Sequence, residues 1–177
     1  MPDEKGNLYV FEAIELRNEY DRHIKLLEQL VKDEQTQQDR LFHRSEEEKR
    51  EPSADFDQRQ IEERLKKLQT KRVKLNQAIQ VTNFESQVEY QEDQISLAEA
   101  LEIRKNLLAD IAASSQRVVN SAYKRIIHKE ERDIVHEPRH SFQQSYAEFQ
   151  EKVRTLRHLI TQIHRANHRN VVKFKDE

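Results

Sequence analysis

Apolar residues recur at alternating steps of four and three along most of the chain. The pattern is cleanest near the C-terminus, where Phe142, Tyr146, Phe149, Val153, Leu156, Ile160 and Ile163 form a stripe that ends on Asn167, the repeat of a coiled-coil seam. A second stripe runs through Leu97, Leu101, Arg104, Leu108, Ile111, Ser115, Val118 and Ala122. The first part of the chain carries Val10, Ile14, Arg17, Ile24, Leu27 and Val31, followed by Ile61, Leu65, Leu68, Leu75 and Ile79. This spacing predicts helices over 9–34, 56–83, 97–130 and 142–168. Ser96 with Glu99 and Ser141 with Gln144 have capping-box spacing, and Pro52 and Pro138 each precede a helix that could not run through them. Between the first two helices, the polar stretch 35–55 reads as a mobile loop or a solvated extension, whereas 128–140 includes Ile134 and Val135 and is expected to dock. Short β-prone pieces, Leu8 to Val10, Val88 to Tyr90, Ile95 to Leu97 and Val171 to Phe174, are placed to pair as ribbons at one end of a bundle.

The pattern also repeats. Glu12, Ala13, Glu15, Arg17 and Ile24 recur 87 residues later as Glu99, Ala100, Glu102, Arg104 and Ile111. Ile79, Asn83, Val88 and Tyr90 recur 84 residues later as Ile163, Asn167, Val172 and Phe174. The simplest reading is a unit of about 85 residues, duplicated, with a small length change between its halves. The expected fold is therefore all-α: one domain over 1–177 made of two pseudo-symmetric antiparallel hairpins in tandem, about 8–90 and 95–174.

Composition sharpens this picture. Of 177 residues, 36% are charged and 35% apolar, with one Gly, three Pro and no Trp, which suits long amphipathic helices and not tight-turned sheets. The net charge of −2 argues against a polycation, yet charge is uneven. Residues 46–63 hold eight acids against Lys49, Arg50 and Arg59, and 152–175 hold seven Lys or Arg and no acid. No cysteine means no disulfide and no thiol chemistry, the N-terminal segment lacks the basic start and apolar core of a secretion signal, and no apolar run is long enough to span a membrane. A cytoplasmic, membrane-free protein is expected.

Arg17 and Arg104 fall on apolar seams, where a charge needs partners. In an antiparallel hairpin Arg17 is expected to share a level with Asn83, and Arg104 with Asn167, while Glu12 and Glu99 supply carboxylates. Glu12, Arg17, Asn83, Glu99, Arg104 and Asn167 thus read as one polar layer made twice. Its plainer role is to fix register, since fully paired buried ions specify geometry at little net stability. The sharper one is a polar pocket, with Glu12/Glu15 and Glu99/Glu102 resembling paired carboxylates of metal-binding bundles. The chain's own Glu-x-x-His, Glu137 to His140, starts in a loop and weakens that reading.

Six histidines, His128, His136, His140, His158, His164 and His168, lie in one quarter of the chain. His164 and His168 share a helical face as zinc pairs do, making them weak metal candidates with no acid nearby to complete a set. Arg154, Arg157, Arg165 and Arg169 form a basic face that could follow a phosphate backbone or answer the acidic 46–63 region of a neighbouring subunit; the overall negative charge favours the second. There is no Gly-flanked serine, cysteine nucleophile or glycine-rich phosphate loop, and no cofactor is expected.

The helix openings EAIELR and EALEIR, the helix ends AIQVTNF and QIHRANH, and the extended DIVHEP resemble a family of small uncharacterised bacterial proteins, some labelled septicolysin. The resemblance covers roughly residues 8–174 and implies an all-helical fold with the same duplication, but no reaction. This chain departs in its longer, more acidic first connection and in lacking tryptophan near the end of the last helix. Together the readings point to a non-enzymatic helical protein that works by association, as a homo-oligomer. A nucleic-acid-binding accessory protein and a metal-binding bundle or metal-dependent enzyme are the alternatives.

Overall fold

A computed structural model describes residues 7–40, 53, 55–128, 130 and 132–175, with the side chains of 33–40 outside the description. Most of the 35–55 connection, Pro52 included, lies outside the described residues. The element order is β1 (Asn7–Tyr9), α1 (Val10–Arg40), α2 (Gln58–Glu85), β2 (Gln87–Tyr90), β3 (Asp93–Ser96), α3 (Leu97–Ala122), β4 (Arg125–Ile127), β5 (Ile134–His136), α4 (Phe142–Arg169) and β6 (Val171–Lys173). The chain is thus mainly helical, with three antiparallel two-stranded ribbons, β1–β6, β2–β3 and β4–β5, among the described residues. It divides into two compact units, residues 1–82 with 169–177, and residues 83–168.

In the first unit, α1 and α2 run antiparallel. Their register is set by Arg17 against Asn76, Asp21 against Arg72 and Glu28 against Gln69. Val10, Ala13 and Tyr20 of α1, Leu75 and Ile79 of α2, Val172 of β6 and Phe174 just after it make its core. The ribbon pairs Asn7 with Lys173, Leu8 with Val172 and Tyr9 with Val171, and the amide of Val10 donates to the Asn170 carbonyl at 3.1 Å. Glu12 accepts the Tyr9 amide at 2.8 Å, capping the start of α1.

In the second unit, Val88 of β2, Leu97 and Ala100 of α3, and Leu159, Ile163 and Ala166 of α4 form the core. The β2–β3 hairpin pairs Gln87 with Ser96, Val88 with Ile95 and Glu89 with Gln94, and the Leu97 amide donates to the Ser86 carbonyl at 2.8 Å. Its turn, Gln91 (φ 50°) and Glu92 (φ 74°), is left-handed at both central positions, the geometry that matches strand twist and normally selects Asn-Gly. Farther along, Arg117 meets Glu148 at 3.0 Å and ties the antiparallel α3 and α4.

Several boundaries differ from the sequence pattern. Helix α1 runs on to Arg40, past the expected end at 34. Helix α3 stops at Ala122 instead of 130, because the β-branched Ile126 and Ile127 leave the helix and pair with Ile134 and Val135. Lys124 and Glu137 close that ribbon at one end with a 2.6 Å ion pair, and His128 and Asp133 lie 2.8 Å apart at the other. Ser96 caps α3 by accepting the Glu99 amide, as its spacing predicts. At α4, by contrast, Gln144 turns outward to donate to Glu148, and only the Ser141 carbonyl joins the first turn. Helix α2 starts on Asp57, which accepts the amides of Gln60 at its carboxylate and Ile61 at its carbonyl.

Candidate interaction surface

In α2 the buried residues, Leu75 and Ile79, lie on the apolar stripe of the sequence, whereas in α3 and α4 most buried positions are offset from it. In α3 the seam residue Leu97 is buried as expected, but Ala100, Ser114 and Ser121 are buried one residue before Leu101, Ser115 and Ala122 of the seam, and Leu108 is 45% exposed. In α4 the buried residues are Ser145, Leu159, Ile163 and Ala166, again one before Tyr146, Ile160 and Asn167 except at Ile163. Small side chains face the packing because they let helix backbones approach, and the larger residues beside them are turned partly outward. The hydroxyls of Ser114 and Ser145 are buried with no hydrogen-bond partner among the described residues. Ser121 returns its hydroxyl to the Val118 carbonyl at 2.8 Å.

This rotation undoes the expected polar layer. Arg104 is exposed, and so is Glu99. Arg17 is half-buried and donates to Asn76 Oδ1 at 3.5 Å, two turns of α2 away from its expected partner Asn83, whose own amide oxygen is buried without a partner among the described residues. Glu12 serves as the cap of α1, and Asn167 is half-buried on the last turns of α4. The interhelical ion pairs instead use Asp21 with Arg72 and Arg117 with Glu148, with side chains 42–45% exposed. Nothing in the apolar spacing singles these four out, since each sits beside a seam and not on it.

Elsewhere the carboxylates are locally engaged. Glu102 pairs with Lys105 at 3.6 Å, Glu137 with Lys124, and Glu15 approaches Arg22 at 3.9 Å. His164 and His168 are exposed, and among the described residues no group of three or more His, Asp or Glu is placed to hold a metal ion. Of the titratable groups, Asp55 is held below the ordinary carboxylate range, first by the Ser53 hydroxyl that donates to it at 2.5 Å and then by its own backbone amide.

Two surfaces remain. At the far end of the α3–α4 hairpin, Val119, Tyr123, Phe142 and Tyr146 are exposed, with Phe142 and Tyr146 stacked at 5.9 Å between ring centroids. Along α4, Arg154, Arg157, Arg165 and Arg169 all face solvent, and Arg154 alone of the four has an ion-pair partner among the described residues, Glu151 at 3.5 Å. No helix among the described residues is long and apolar enough to cross a membrane.

No family model matches the chain, and no curated protein does. Among solved structures, it is similar to a conserved protein of unknown function from Corynebacterium diphtheriae, with a TM-score of 0.67 and 20% identity over 94% of this chain and 99% of that one. At that identity the likeness speaks for a shared fold.

Proposed function

We propose that this protein works by association, as a helical module that pairs with further copies of itself in the cytoplasm. The observation that carries the reading is the uncovered apolar end of the second unit. Tyr123 is 81% exposed, and Phe142 and Tyr146 stack on each other while facing solvent. A soluble chain that leaves grouped aromatic and β-branched side chains uncovered loses solvation free energy of roughly 25 cal/mol per Å2, and covering them is the usual reason such groups occur. Because α3 and α4 turn Ala100, Ser114, Ser121 and Ser145 inward, Leu108, Val119 and Tyr146 beside them are left for a neighbour.

The same reading takes the chain as two copies of one unit. The 87-residue spacing carries Val10 and Ala13 onto Leu97 and Ala100, and the 84-residue spacing carries Leu75, Ile79, Asn170 and Val172 back or forward onto Leu159, Ile163, Ser86 and Val88. Both sets are core residues or strand anchors in their own unit. The pairing of Leu8 with Val172 likewise translates onto that of Ile95 with Val88.

Light scattering of the full chain between about 1 and 100 µM tests the association. The expected mass exceeds the 21.3 kDa of one chain. Replacing the aromatic pair, Phe142→Ser with Tyr146→Ser, should weaken association by about tenfold or more, since buried aromatic contacts dominate interface energies. A single-chain mass across the whole range would overturn the reading.

A further inference from the structure

The solvent side of α4 is cationic along its C-terminal half. Arg154, Arg157, His158, His164, Arg165 and Arg169 are all exposed, over a rise of about 22 Å. The side chains of Arg157, Arg165 and Arg169 make no hydrogen bond or ion pair with any described residue. With seven Lys or Arg and no acid in 152–175, the remainder of the chain holds 24 cations against 33 acids, a net of −9. The molecule therefore combines this cationic ridge with a remainder that is negative overall, although α2 carries a second basic run, Arg64 to Lys74.

A phosphate backbone and the body of another copy are both anionic enough to receive this ridge, and magnitudes separate them. Four arginines neutralise about four phosphates, a salt slope near −3.6, below the six to ten contacts of an ordinary duplex binder. The anionic body would also repel a polyanion that extends beyond the ridge. A second copy brings the opposite balance, because its own −9 body attracts the ridge.

The first unit supplies a receptor of matching form. A shallow, open recess of about 470 Å3 lies on the face of α1, lined by Phe11, Glu12, Glu15, Leu16, Glu19 and Arg22, all of the one helix. Glu15 and Glu19 are exposed on its wall, and Glu19 has no partner among the described residues. Glu15 meets only Arg22, at 3.9 Å with both side chains more than 70% exposed, a contact easily exchanged. Carboxylates at 12, 15 and 19 rise by three and four residues; Arg154 with Arg157 and Arg165 with Arg169 are spaced likewise, with Thr161 between the two pairs, so each pair can meet two of the carboxylates on an aligned helix. The apolar floor at Leu16 and Phe11 suits the aliphatic stems of arginine. By contrast, the described acids before and within the start of α2 are already engaged: Asp55 by Ser53, Asp57 as the helix cap, Glu62 by Gln58 and Glu63 by Arg59.

We propose that the exposed basic face of α4 docks in the acidic recess of α1 on a second copy of the chain. This deepens the association reading and rests on it, since it names the faces that meet and gives the pairing a direction. The aromatic end of the second unit contributes apolar area, and the ridge and recess select orientation.

The test is a charge exchange on the full chain, read by sedimentation velocity at about 0.05 M and 0.5 M salt, where screening differs severalfold. One variant carries Glu15→Lys and Glu19→Lys, the other Arg157→Glu and Arg165→Glu, with melting curves to establish that both fold. Each alone is expected to lose at least tenfold in self-association at low salt. Mixed at equal concentration they should associate again, because the intact ridge of the first meets the intact recess of the second, and the two reversed faces also match. If the native chain associates but either variant does so equally well, or the mixture fails to recover, the ridge-and-recess pairing is wrong while self-association stands. If the native chain stays single throughout, both fall. Retardation of duplex DNA by the native chain at ~0.15 M salt, lost in the arginine variant, would assign the ridge to nucleic acid instead and overturn the proposal.

Discussion

Ser114 and Ser145 show at the scale of one residue why burial and partnering must be separated. Each is 2% exposed, and neither hydroxyl has a hydrogen-bond partner among the described residues. A buried, unpaired polar group costs about 1–3 kcal/mol of desolvation that nothing returns. Their small size is what the helix packing uses. Alanine keeps that size, so Ser114→Ala with Ser145→Ala should raise the melting temperature by several degrees, at about 2–4 °C per kcal/mol for a chain of this length. An unchanged or lower melting temperature would mean that the hydroxyls bond water or lie nearer solvent. Arg104 makes the complementary case. Being exposed, it should tolerate Arg104→Ala within about 0.5 kcal/mol, against the large loss that its place on the sequence stripe implies.

At the scale of elements, the sequence announces helices better than it announces their faces. Steps of three and four locate all four helices, and the capping of α3 by Ser96 follows from spacing alone. In α3 and α4 the sequence stripe falls one residue past most of the buried positions, because a size-weighted pattern prefers Leu101 and Tyr146 to Ala100 and Ser145. Close helix packing reverses that preference. With the face went the polar layer: once α3 turns by one residue, Arg104 leaves the seam, while the register of α1 on α2, fixed also by Asp21 with Arg72, sets Arg17 beside Asn76 in place of Asn83. The β4–β5 ribbon was invisible as such, since Ile126 and Ile127 continue an acceptable helical stripe until the paired Ile134 and Val135 compete for them. A pair of substitutions separates the two faces. Ala100→Leu overpacks a fully buried position and should cost about 1–3 kcal/mol. Leu108→Ala, at a site 45% exposed, should cost well under the 2–5 kcal/mol of a core leucine. Urea denaturation of both variants reads the difference, and the reverse ordering would restore the seam seen in the sequence.

The whole molecule is organised by where its strands go. Strand β6 follows α4 of the second unit but, with Phe174 just after it, completes the core of the first through Val172, while β2 follows α2 and completes the second with Val88. Strand-forming pieces were legible in the sequence, but not their partners, since Asn7 and Lys173 stand at opposite ends of the chain. If the two units are copies, β6 stands to β1 as β2 stands to β3 across the Gln91–Glu92 turn. That turn places two non-glycine residues at positive φ, at a cost of order 1–3 kcal/mol each. Joining the present ends, with residues 1–6 and 176–177 as the linker, and opening the chain between Gln91 and Glu92 should therefore preserve the fold. Paired strands lie only about 5 Å apart, a gap that eight linker residues span with slack, and the strained turn is released. The permuted chain is expected to melt cooperatively within several degrees of the native one and to keep its helix content by circular dichroism. Loss of cooperative melting would show that the two ribbons are not equivalent, and the duplicated architecture would fall with them.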